Sequence, residues 1–135
     1  QDALERLDEK TGKVLWRVEI PQIERVFDRW PYLAVRPAGD RCELAVIDGR
    51  SGKLLWRRRL GAASSGSHHP YVADVSVDAG RMIAFVAGRS ERYAPQFVVV
   101  RPDTGEPLER IPAPDDMLRE PLTTRLFGGT AFFIS

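Results

Sequence analysis

One nine-residue phrase occurs twice, and nothing else in the chain restricts its fold as much. Asp8-Glu9-Lys10-Thr11-Gly12-Lys13-Val14-Leu15-Trp16 and Asp48-Gly49-Arg50-Ser51-Gly52-Lys53-Leu54-Leu55-Trp56 share one pattern. Each reads Asp, two variable residues, a hydroxyl residue, Gly, Lys, two apolar residues, Trp. The copies stand 40 residues apart, Gly12 to Gly52, a period suited to propeller blades and other stacked repeats. A degenerate third copy, Arg101 to Glu109, keeps Thr104-Gly105 but has arginine at the Asp position and glutamate at the Trp position.

The phrase reads as a tight hairpin. Leu44-Ala45-Val46-Ile47 runs into Asp48, and Leu54-Leu55-Trp56 leaves after Gly52, so two apolar runs flank a polar link with glycine in it. Gly12 and Gly52 are predicted to close the turn at positive φ, where a side chain costs about 1–2 kcal/mol. Asp8 and Asp48 are placed to accept backbone N–H bonds from residues two or three further on, with Thr11 and Ser51 as additional local partners. Trp16 and Trp56, four residues past the glycine, are predicted to wedge between one sheet and the next. Removing such a wedge costs about 3–5 kcal/mol.

These residues carry a family resemblance. The phrase is similar to the signature of quinoprotein-type propeller repeats, Ala-x-Asp-x-x-x-Gly-x-x-x-Trp, matched by Asp8, Gly12 and Trp16 and again by Asp48, Gly52 and Trp56. The alanine position departs from it, being Arg6 and Val46. The resemblance implies an all-β fold of four-stranded antiparallel blades, with the motif joining the third and fourth strands and the tryptophan between blades. Family members include quinone-dependent alcohol dehydrogenases, a lipoprotein of the outer-membrane barrel-assembly machinery, and sensor or scaffold domains without a cofactor.

Composition narrows the function classes. A formal net charge of +1 gives no argument for a nucleic-acid partner. Cys42 is the one cysteine, so neither an intrachain disulfide nor a cysteine metal cluster can form. No asparagine occurs, which removes N-glycosylation acceptors within these residues. No apolar run approaches the ~20 residues that span a bilayer. Most of the basic residues are arginine, which the sequence alone leaves without a functional reading. A chain that opens on Gln1 reads as processed or excised, so its lack of a signal sequence says nothing of compartment.

Breaks and periodicity divide the chain into about three blade equivalents. Residues 3–20 form a hairpin, half a blade, in which Val14, Trp16, Val18 and Ile20 alternate with polar residues. Residues 24–60 form a blade with strands at Glu24–Trp30, Tyr32–Arg36, Cys42–Ile47 and Lys53–Leu60. Residues 71–112 form another, with strands at Tyr71–Val77, Arg81–Ala87, Gln96–Arg101 and Pro107–Ile111. Residues 122–135 begin a further half blade around Gly128-Gly129. The middle strands are apolar on both faces, as sheets covered on both sides must be. Two blades with two complementary half blades predict an excerpt of a larger propeller. The alternative is a homo-oligomer whose copies complete a ring.

No catalytic constellation stands out. His68-His69 with Asp74 or Asp78 could ligate a metal, but a solvated Ser/Gly connector accounts for adjacent histidines. Ser64, Ser65 or Ser67 with His68 and Asp74 supply the ingredients of a hydrolase triad without a nucleophile elbow. Asp115-Asp116 fits the start of a helical turn better than an acid/base pair. Arg57-Arg58-Arg59 cannot form one patch, because neighbours on a strand face opposite ways. Trp30 and Tyr32 could stack on a ligand, with core or interface packing as the simpler account. The resemblance implies calcium, asparagine and vicinal-cysteine features for the quinone enzymes, and this chain has no asparagine and a single cysteine.

The reading that follows has no catalytic, cofactor or metal residues. Its structural motif is Asp8, Thr11, Gly12, Trp16, Asp48, Ser51, Gly52, Trp56, Thr104 and Gly105. The expected function is a scaffold or binding module, partnered by another protein or by the remaining blades, with no cofactor. A fragment of a quinone-dependent dehydrogenase and a receptor sensor domain are the alternatives. A periplasmic or extracellular setting is implied by the resemblance alone.

Overall fold

In a computed structural model the chain is all-β. Residues 2–61, 70–88, 94–113, 123–127 and 130–134 are described, the last two segments by backbone only. The strands are β1 Asp2–Leu7, β2 Val14–Ile20, β3 Ile23–Arg29, β4 Tyr32–Pro37, β5 Glu43–Asp48, β6 Leu54–Arg59, β7 Tyr71–Asp78, β8 Arg81–Ala87, β9 Gln96–Val100, β10 Pro107–Pro112, β11 Thr123–Phe127 and β12 Thr130–Ile134. All pairings are antiparallel: β1-β2, then β3-β4-β5-β6, then β7-β8-β9-β10, then β11-β12. Each predicted strand forms, with its ends displaced by a residue or two. The Ser/His connector (Ser64, Ser65, Ser67, His68, His69), Asp115-Asp116 and Gly128-Gly129 lie outside the described residues.

The sheets stack face to face because their middle strands are apolar along their central residues, on both faces. Alternation then sends successive residues to opposite sides. Ala34, Leu44 and Val46 face the third sheet and pack with Val72, Val75, Met82, Ala84, Val86, Val98 and Val100. Val35, Ala45 and Ile47 face the other way, onto Ile20 with Leu4, Trp16 and Val18 of the first hairpin. On the far side of the third sheet Phe85 and Phe97 pack with Ala87 and Ala113, the two rings 5.2 Å apart. There β11 lies against β7 as β7 lies against β3.

Each repeated tryptophan crosses to the next sheet and sits on its turn glycine. A Cβ added at Gly52 would fall 2.6 Å from Trp16 Cγ, and one at Gly105 would fall 2.5 Å from Trp56 Cδ2. The indole N–H completes each joint. Trp16 Nε1 donates to the Gly49 carbonyl at 2.9 Å, and Trp56 Nε1 donates to the Pro102 carbonyl at 2.7 Å. Both acceptors follow the first position of the phrase, so the two joints repeat atom for atom.

The register at the tryptophan also repeats. Trp16 stands opposite Arg6, Trp56 opposite Val46 and Glu109 opposite Val99. In all three the ladder slips between this pair and the turn, leaving Leu15, Leu55 and Leu108 without an opposing residue. Such a bulge adds local twist and turns the next side chain toward the neighbouring sheet.

Gly12, Gly52 and Gly105 share φ values of 71°, 76° and 73°. Any replacement therefore costs the left-handed penalty of about 1–2 kcal/mol. Only at Gly52 and Gly105 does a Cβ also meet an indole; at Gly12 nothing lies within 4 Å. Gly12→Ala should lower unfolding stability by about that penalty alone, whereas Gly52→Ala and Gly105→Ala should each lose clearly more. Urea titration of the three variants measures the difference, and equal losses would contradict the tryptophan contact.

Candidate functional site: the hairpin end of the blades

Consecutive antiparallel strands bring the first and third turns of a sheet to the same end. The joints align these ends from sheet to sheet, so the 8–13, 30–31, 48–53, 78–81 and 101–106 turns gather on one rim. Each phrase builds its turn alike. Asp8 N–H donates to the Lys13 carbonyl and Gly12 N–H to the Asp8 carbonyl, both at 2.8 Å. Asp48, Lys53 and Gly52 repeat this at 2.9 and 2.8 Å.

Side chains reinforce the turn. Asp8 Oδ1 accepts the N–H groups of Lys10 and Thr11 at 2.8 and 3.2 Å, and Asp48 Oδ1 accepts that of Arg50 at 2.9 Å. Thr11, Ser51 and Thr104 hydroxyl oxygens accept from Lys13, Lys53 and Glu106. The N–H groups of Lys10 and Thr11 hold the Asp8 carboxyl below its ordinary range by stabilising the anion. The degenerate phrase makes the same backbone pair without an aspartate at its first position: Arg101 N–H to Glu106 O at 2.9 Å and Gly105 N–H to Arg101 O at 2.8 Å.

Arg6 occupies the position where the repeat signature has alanine, and it has its own task. Its Nη1 donates to the Gly49 carbonyl at 3.1 Å, the same oxygen that receives Trp16. Its guanidinium also lies 4.6 Å from the centre of the Trp30 ring, within cation–π range. Gly49 allows this crowding, since a Cβ there would meet Trp30 at 2.8 Å and the Pro31 carbonyl at 2.9 Å. Trp30 thus packs at the joint between sheets yet keeps 53% of its surface exposed. Tyr32 is half-buried against the core.

The same rim carries Leu7, Val14, Leu15, Leu54 and Leu108, all exposed, beside the turns. Lys10, Lys13 and Lys53, the only lysines in the sequence, stand among them. The rim thus combines exposed apolar side chains and one half-exposed tryptophan with interspersed acidic and basic residues.

Several acidic side chains are tied into structural pairs, among them Asp74 of the sequence candidates. Asp74 accepts Arg29 at 3.2 Å and the N–H of Val75 at 2.8 Å. Glu24 pairs with Arg36 at 2.6 Å and Arg41 at 3.2 Å. Glu43 pairs with Arg57, and Asp40 lies 3.6 Å from Arg59, so two arginines of the triplet are held in separate ion pairs. Among the described residues no group of three or more His, Cys, Asp or Glu could hold a metal.

Arginine has a structural role that composition did not reveal. Strand β7 is the edge of its sheet, and three arginines of the preceding sheet donate to its carbonyls. Arg25 reaches Ala73 O at 3.1 Å, Arg29 reaches Val75 O at 2.6 Å and Arg36 reaches Val72 O at 2.7 Å. From the other direction Arg110 donates to the Leu60 carbonyl at 2.8 Å. Long side chains with several donors span the gap between edges that cannot pair directly.

The family described as outer membrane protein assembly factor BamB matches residues 1–108. Three solved structures resemble the chain's fold. A europium-containing methanol dehydrogenase aligns with a TM-score of 0.62 at 12% identity, covering 84% of this chain and 22% of that one. The quinohemoprotein alcohol dehydrogenase from Comamonas testosteroni gives 0.60 at 17%, covering 82% and 18%. BamB from Moraxella catarrhalis gives 0.52 at 18%, covering 81% and 31%. The chain thus spans less than a third of each of these structures. Comparison with curated protein sequences finds no match. Among the described residues no helix is long and apolar enough to cross a membrane.

Two measurements check the packing of the site's support. Arg36 is 9% exposed, and replacing it with methionine leaves Glu24 without its closest partner and Val72 O without its side-chain donor. The loss should be about 1–3 kcal/mol by chemical denaturation, reduced by the removal of Nε, which is buried without a partner. Cys42 is 1% exposed, and burial, followed by the nearby Asp40 carboxylate, pushes its thiol up to about 11. It stays protonated below that pH, so an alkylating reagent at pH 8 should leave the native chain unlabelled and label it fully in denaturant.

Proposed function

The chain belongs to the family described as outer membrane protein assembly factor BamB, and from that membership we propose that it is a non-catalytic propeller section that docks another protein. The docking end is the hairpin rim, and the setting is periplasmic or extracellular, in keeping with the family's role in outer-membrane assembly. The observation that carries this reading is the half-exposed Trp30, braced by Arg6 on a rim that also carries exposed leucines and lysines. Aromatic and arginine side chains anchor protein interfaces well, because they bury much area for little lost freedom.

Cross-linking in cells and a redox assay test the reading together. A photoreactive residue placed at Arg50 or Lys53 should capture an envelope-assembly protein. One placed at Gln22 or Ala38, on the opposite end, should capture none. Trp30→Ala should remove the adduct while circular dichroism shows the chain still folded. Dye reduction with alcohol, pyrroloquinoline quinone and calcium should stay at the blank rate. Alcohol-dependent reduction, or capture from the opposite end alone, would overturn the proposal.

A further inference from the structure

Asp48-Gly49 is the one place in the sequence where an aspartate precedes a glycine, and no asparagine occurs anywhere. Chemically it is the least durable link in the backbone. A glycine has no Cβ to hinder its amide nitrogen from swinging onto the preceding side chain. The nitrogen attacks Asp48 Cγ, a C–N bond forms and a C–O bond breaks, and the carboxyl oxygen leaves as water with the amide proton. Water then reopens the five-membered succinimide at either carbonyl. Opening at Cγ restores aspartate. Opening at the Asp48 main-chain carbonyl leaves isoaspartate, with the chain routed through Cγ and no net change in mass.

The fold both requires this pair and restrains it. A Cβ on residue 49 would meet Trp30 at 2.8 Å and the Pro31 carbonyl at 2.9 Å, so only glycine fits. The pair is tied at its amide, at both carbonyls and at the side chain. Gly49 N–H donates to the Pro31 carbonyl at 2.7 Å, and the Asp48 carbonyl accepts Gly52 N–H at 2.8 Å. Asp48 Oδ1 accepts Arg50 N–H at 2.9 Å. The Gly49 carbonyl accepts Trp16 Nε1 at 2.9 Å and Arg6 Nη1 at 3.1 Å. Gly49 itself is buried. Attack on Cγ needs the Gly49 nitrogen freed of its proton and rotated, and each of these bonds opposes that movement.

We propose that Asp48 is the isoaspartate-forming site of this chain, and that the joint made by Trp16, Arg6 and Trp30 gates the reaction. Isoaspartate and the joint exclude each other. The methylene that isomerisation adds to the backbone displaces the Gly49 carbonyl, and Trp16 and Arg6 lose their common acceptor. A single opening long enough for ring closure therefore becomes a lasting loss of contact between the first two sheets. None of this depends on what the hairpin rim binds.

Prolonged incubation of the 135-residue chain at neutral pH tests this. Isoaspartate is quantified by isoaspartyl methyltransferase labelling and located in the Cys42–Arg50 tryptic peptide by electron-transfer fragmentation. In guanidinium chloride isoaspartate should accumulate at Asp48. In the native chain its rate should be lower by roughly tenfold or more, because the reaction waits for local opening. Arg6→Ala and Trp30→Ala, each shown to be folded by circular dichroism, should raise the native rate several-fold. Gly80→Ala is the control. It strains a left-handed turn of the third sheet, where nothing lies within 4 Å of the new Cβ, and should leave the rate unchanged. A native rate equal to the denatured one would overturn the proposal, as would denatured chains free of isoaspartate at Asp48. So would folded joint variants that react no faster than the unmutated chain, or a Gly80→Ala chain that reacts as fast as they do.

Discussion

The structure depends on an indole lying flat on a glycine of the next sheet. Trp16 over Gly52 and Trp56 over Gly105 each combine three requirements: a residue without Cβ, a left-handed backbone at that residue, and a carbonyl aimed at the indole N–H. Failure of any one of them removes the others' purpose. A side chain at the glycine expels the ring, and an expelled ring leaves the carbonyl without its indole donor. The contact thereby fixes both the spacing and the rotation between sheets, which flat apolar packing alone would leave free to slide.

Around that contact the two surfaces of each sheet are made equivalent. Val35, Ala45 and Ile47 serve one neighbour while Ala34, Leu44 and Val46 serve the other, so each middle strand contributes to two cores. Edges are treated differently from faces. The carbonyls of β7 cannot be paired by a strand of the preceding sheet, and Arg25, Arg29 and Arg36 reach across to them. Arg36 combines its carbonyl bond with a carboxylate, Glu24, which offsets the cost of burying its charge. Inter-sheet adhesion is therefore apolar in the middle and hydrogen-bonded at the strand edges.

Much of this was legible in the sequence, and the physical reason is that the phrase is local. Turn chemistry acts within five residues, so Asp48, Ser51 and Gly52 declare their turn without any tertiary information. Alternation along Val14 to Ile20 and the doubly apolar middle strands were equally direct. What could not be read was anything decided between sheets. Arg6 looked like a mere departure from the signature, because its partners, Gly49 O and the Trp30 ring, lie more than twenty residues away in the chain. The abundance of arginine carried a signal that only the strand edges explain. Arg101 looked like decay of the phrase, yet the turn forms there with the same backbone bonds.

That last case separates what the turn needs from what it tolerates. Replacing the aspartate by Arg101 costs the local side-chain cap but leaves Gly105 at a φ of 73° with Trp56 upon it. Glycine and the backbone pair are thus sufficient to build a receiving surface, and the aspartate only strengthens it. The donating half of the phrase obeys another rule, since Glu109 shows that a strand can pair in register without providing a wedge. Receiving and donating are separable properties of one repeat. The order in which sheets stack is then written in which copies keep which half, and Arg6 adds a mark to the first joint: its guanidinium shares the Gly49 carbonyl with Trp16, whereas the Arg101 guanidinium beside the second joint turns to Asp103.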